Sequence, residues 1–128
     1  MITIADVQKT YAMALGAVLL LVGLIGFFSA PIFGIFGVNT AQNVLHLFAG
    51  VLGLWLGSKG SGKGFNTWTG IIAAVVGILW FVPGTGGDVG FLASIFNINA
   101  MISYLHLAIA AVSLLVAFGT KESMGAAQ

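Results

Sequence analysis

Apolar positions dominate this chain and run in four long blocks: about Thr10 to Phe28, Thr40 to Gly57, Asn66 to Val82 and Asn99 to Gly119. A helix rises 1.5 Å per residue, so roughly 20 apolar residues cross a hydrocarbon core of about 30 Å. Each block therefore predicts one transmembrane helix, the second and third being short. Trp55, Trp68 and Trp80 flank the short ones and are expected near the headgroups, where amphipathic rings collect. Nothing in the opening "MITIADVQKTYAMALG" has the basic start and small-residue cleavage site of a removable signal, so the first block reads as a retained span.

The pattern is also written twice. A shift of 60 residues sets Ile35, Phe36, Asn39, Leu45, His46 and Leu47 on identical residues at 95, 96, 99, 105, 106 and 107. A shift of 54 pairs Gly16, Gly23 and Phe27 with Gly70, Gly77 and Phe81. The predicted fold is thus all-α: one four-helix transmembrane domain over 1–128, built as two tandem hairpins. Repeat one covers 10–57, a basic linker 58–65, repeat two 66–119 and a short tail 120–128. Both units start and end on the same side, so their pseudo-twofold axis should follow the membrane normal, unlike the inverted repeats of many transporters.

Composition agrees with lipid as the main solvent: 59% of the 128 residues are hydrophobic and 5% charged, against about 25% charged in soluble domains. Lys9, Lys59, Lys63 and Lys121 all fall on one side, and the two opposite loops hold only Asp88. The positive-inside rule then places both termini in the cytoplasm. With no arginine and a net charge of +1 there is no basic surface for nucleic acid, and with no cysteine there is no disulfide, thiolate site or cysteine nucleophile.

Residues 39, 43, 46, 50, 53 and 57 recur every three or four positions and share one helix face. They read Asn39, Asn43, His46, Gly50, Gly53 and Gly57; in the fourth span the counterparts are Asn99, Ser103, His106, Ala110, Ser113 and Ala117. Polar groups lie toward the outer end and small residues continue inward, so these faces should pack against protein. Asn39 and Asn99 open their helices and are read as N-caps. His46 sits about 10 Å deeper, at 1.5 Å per residue, and should join His106, Asn43 and Ser103 in a symmetric polar cluster inside the bundle. Interhelical hydrogen bonding that sets register is the plainer role for the histidine pair. The sharper one is a shared site, in which the two imidazoles ligate haem b or a metal ion, or one relays a proton. The absence of any carboxylate within a span weakens the relay and a hard-metal site.

"SAPIFGIFG" and "GFLASIF" are too short to span and too apolar for ordinary loops, which suits a lid over the polar cluster. "GSKGSGKG" is a flexible basic linker, not a phosphate loop, because Gly64 follows Lys63 where Ser or Thr is needed. "GTGGDVG" supplies turns, with Asp88 solvated.

On Asn39, Asn43, His46 and Leu47, followed by "FAGVLGL", the chain resembles a prokaryotic membrane family known as domain of unknown function 4383 over nearly its full length. In the second motif Asn99, Leu105, His106 and Leu107 match, while Ile102, Ser103 and Tyr104 replace the family's usual Asp-Asn-Trp. The resemblance implies four spans and carries no established activity. The expected function is non-enzymatic: helix association in membrane lipid, as a homo-oligomer or an accessory subunit of a larger membrane complex, with Gly16, Gly23, Gly70 and Gly77 favouring close packing. No cofactor is expected on this reading. The alternative is a haem- or metal-binding protein using His46 and His106, and the third a small transporter or pore.

Overall fold

A computed structural model describes residues 4–87 and 90–120 of the chain, with the side chains of residues 7–87, 90 and 92–120. Asp88, Lys121 and the tail beyond Thr120, to which roles in orientation were assigned above, lie outside the described residues. Five helices account for nearly all regular structure: α1 (Ile4–Phe28), α2 (Thr40–Ser58), α3 (Gly62–Leu79), α4 (Phe91–Phe96) and α5 (Ala100–Gly119). One isolated antiparallel bridge joins Ile32 and Phe36. Within α1 and α5, Val7–Phe28 and Ala100–Gly119 are long and apolar enough to cross a membrane.

Local chemistry explains most of the boundaries. α1 stops ahead of Pro31, whose ring fixes φ and whose nitrogen carries no proton. α2 begins where the Asn39 side chain accepts from the Gln42 amide at 3.0 Å, and α5 where Asn99 accepts from Ile102 at 3.0 Å. α4 ends at Asn97, in the left-handed region at φ +54°. Two expectations are corrected here. The linker assigned to 58–65 is shorter, because α3 already starts at Gly62, and the third block ends at Leu79 rather than Val82. Gly62 is drawn into the fold by burial: a methyl there would sit 2.6 Å from the Gln8 carbonyl oxygen. The apolar segment after the third block is not merely a lid-like loop but carries α4.

Packing is strongest within two antiparallel pairs, α1 with α2 and α3 with α5. In the first pair backbones approach directly. A Cβ on Gly16 would meet the Gly50 carbonyl oxygen and the Leu54 nitrogen, both at 2.8 Å, and one on Gly50 would meet Gly16 O and Leu20 N at 2.7 Å. Gly53 and Gly57 continue that seam against Ala12 and Met13, and Gly23 receives the Leu47 side chain. In the second pair leucines fill the glycine gaps: Leu114 against Gly70 and Leu107 against Gly77. Every glycine assigned to close packing therefore finds its neighbour within this chain.

The two pairs are joined at both ends. At the linker end the fully buried Asn66 donates to the Gln8 carbonyl (3.1 Å) and to Gln8 Oε1 (2.9 Å). The Gln8 amide in turn donates to Val116 O and Thr120 Oγ1, each at 2.8 Å, so one polar knot ties α1, α3 and α5. Near it Ala12 and Leu15 of α1 pack on Phe65 of α3. At the opposite end Trp80, Leu92, Ile98 and Ile102 form a second buried cluster. Trp80 was expected near headgroups; it is only 8% exposed, because α4 folds back over it. Trp55 and Trp68 stay more than half exposed.

The close seam predicts a sharp contrast among glycines. Gly16→Ala and Gly50→Ala should each cost about 1–3 kcal/mol, since backbone cannot move aside as a side chain can. Gly64→Ala, with open space around it on α3, should instead raise stability by about 0.5–1 kcal/mol. Thermal midpoints of the purified variants check the order.

Candidate functional site

Asparagines and a glutamine organise the end of the bundle opposite the linker, where two irregular segments meet. Irregular backbone needs partners for its amides and carbonyls, and short polar side chains supply them here. Asn39 Nδ2 donates to Ile95 O at 2.8 Å, and Asn99 Nδ2 donates to Ile35 O at 2.9 Å. Each helix cap thus also holds the segment that precedes the other cap. Asn99 Oδ1 additionally accepts from Gly37 N at 3.1 Å. Gln42 Nε2 donates to Gly37 O (3.1 Å) and Phe96 O (3.0 Å), and Asn97 Nδ2 donates to Val38 O (2.9 Å).

Gln42 and Asn97 were not singled out from the sequence. They stand at positions where the 60-residue match fails, opposite Ile102 and Gly37. Looking for identities between the halves passes over them; the useful signal was a polar residue facing an apolar one or a glycine across the repeat.

Below this knot α2 and α5 bring His46 and His106 together, with ring centroids 6.5 Å apart and planes inclined by 31°. His106 Nδ1 lies 2.8 Å from Ile102 O, one turn back on its own helix. His46 Nδ1 is buried and has no hydrogen-bond partner among the described residues. Asn43 and Ser103 do not join them, which corrects the expected four-membered cluster. Asn43 turns to α1 and lies against Gly26, and Ser103 donates to Asn99 O at 2.9 Å. Asn43, Gly50, Gly53 and Gly57 contact α1, while His46, with Gln42 and Ala49, lines the space between the helix pairs.

That space is a cavity of about 1020 Å³. All four long helices line it, and the wall is almost wholly apolar, with Leu19, Trp68 and Ile109 typical. Gln42, His46 and His106 are its polar features toward the capped end. No cluster of three or more His, Cys, Asp or Glu stands together among the described residues, so a metal ion here would draw on the imidazoles alone.

Because Asn99 serves at once as cap and as bolt, Asn99→Ala should cost about 2–3 kcal/mol, a lost cap plus two side-chain hydrogen bonds. Asn39→Ala should cost about 1–2 kcal/mol by the same reasoning. Unfolding midpoints in denaturant, compared with a Thr40→Ala control on the exposed side of α2, read the difference.

Neither the curated proteins nor the solved structures yield a match to this chain. Residues 9–119 match the family described as Domain of unknown function (DUF4383), which takes in both capping asparagines, both histidines and every lining helix of the cavity; the chain belongs to that family.

Proposed function

We propose that this protein is a four-span integral membrane protein, made of two tandem hairpins with a pseudo-twofold axis along the membrane normal, that acts by binding an apolar, membrane-dissolved molecule between those hairpins. It performs no chemistry on what it holds. The cavity carries this reading: about 1020 Å³ of apolar-walled space, partly open at its side, lies between the hairpins, and small-molecule sites span roughly 300–1,000 Å³. The rest of the surface supports a lipid surrounding, with Leu21, Phe28, Val51, Leu115 and Phe118 all exposed. The reciprocal bonds of Asn39 and Asn99, offset by the same 60 residues as the sequence match, support the duplication.

Lys9, Lys59 and Lys63 at one end support the cytoplasmic assignment of that end and of both termini. The chain has no cysteine, so single introduced ones report position cleanly. In intact cells a membrane-impermeant maleimide should label Ser29→Cys and spare Ser58→Cys, and the reverse pattern would overturn the orientation.

Helix association with a second copy or another subunit now rests on the exposed apolar belt, since the glycine seams are filled from within. The facing imidazoles favour a second reading, haem b held between His46 and His106. His106, with Nδ1 on a backbone carbonyl, has the posture of an axial ligand. The propionates, however, find no arginine in the chain and no lysine on the cavity wall. A Soret band lost in His46→Ala would establish that reading over the first.

The binding reading itself is tested with radiolabelled farnesyl methyl ether and the purified full chain. Saturable uptake should approach one molecule per chain and fall at least tenfold in Ala49→Phe, which fills the wall of the cavity. Uptake that is non-saturable, or equal in the two proteins, would overturn it.

A further inference from the structure

The polar end of the cavity has a definite hydrogen-bonding sense. Ile102 O can only accept, so the His106 nitrogen 2.8 Å from it carries the proton. Among the described residues no carboxylate lines the cavity to balance a cation, so the ring is taken as neutral, with its Nε2 presenting a bare lone pair. Gln42 points the same way. Its Nε2 lies between two carbonyl oxygens, Gly37 and Phe96, and turning the amide over would set oxygen against oxygen. Its Oε1 is therefore identified as the acceptor, and that atom is buried without a partner on a side chain only 4% exposed. His46, one turn along α2 from Gln42, also has a buried nitrogen without a partner, and its tautomer is free to adapt.

The His106 acceptor and the adaptable His46 ring thus stand on one wall of an otherwise apolar space, with the Gln42 oxygen sealed behind it. A group that complements them donates a proton and accepts one in return, which a hydroxyl does. Ethers, esters and ketones only accept, and a carboxylate would meet lone pairs. The remaining wall runs down α2 from Gln42 to Leu56, about 21 Å at 1.5 Å per residue, which is longer than one leaflet's half of a ~30 Å core. A long single tail suits that shape.

We propose that the cavity is a site for a long-chain or isoprenoid alcohol, its hydroxyl held between His46 and His106 and its tail directed toward Leu56 and Phe65. This rests on the binding reading above and names the ligand's chemical class.

The test compares farnesol with farnesyl methyl ether, which differ at the head group, on the full chain in detergent. Farnesol should bind about fivefold more tightly, the effect of one satisfied hydrogen bond. In His106→Phe the two ligands should bind alike, with ether affinity unchanged. His46→Leu should narrow the preference too. Equal binding of both ligands to the parent protein, or an undiminished preference in His106→Phe, would overturn the alcohol site while leaving apolar binding intact. If neither ligand binds, both proposals fall.

Discussion

Everything in this fold follows from where close contact between helices is possible. Gly16 and Gly50 let α1 and α2 meet backbone to backbone, and Gly70 and Gly77 let α5 press leucines into α3. Between the two pairs such approach is confined to the linker end, where Gly62 meets the Gln8 backbone and Phe65 reaches Gly53. The pairs are held at one end by the Gln8–Asn66 knot and at the other by the asparagine and glutamine bolts. Pairs that are tight internally and tied only near their ends leave space in the middle, and the cavity is that space.

The same constraint decides which polar groups are free. At the capped end Asn39, Asn97, Asn99 and the Gln42 amide nitrogen are spent on backbone, and these bonds hold α4 and the 29–38 segment over the cavity. Left without partners there are the sealed amide oxygens of Gln42 and Asn43 and His46 Nδ1. Buried groups of this kind are costly unless satisfied, on the order of 1–3 kcal/mol each.

Much of the architecture was legible in the residues themselves. Four apolar blocks, the caps at Asn39 and Asn99 and the meeting of small residues all depend on local spacing, which a helix converts into faces by simple geometry. The burial of Trp80 and the separation of Asn43 and Ser103 from the histidines were not legible, because they depend on what lies beside each residue: α4 over Trp80, α1 against Asn43 and the Asn99 carbonyl for Ser103.

By itself the sequence determined the helical blocks, the glycine seams and the convergence of two histidines, because these follow from period, residue size and the duplicated motif. Only tertiary structure decided that the seams close within the chain, that Gln42 and Asn97 lock the loops, and that the histidines border open space. Those outcomes depend on the relative rotation of whole helices. A rotation of some tens of degrees exchanges one face for the next, and no local pattern records it.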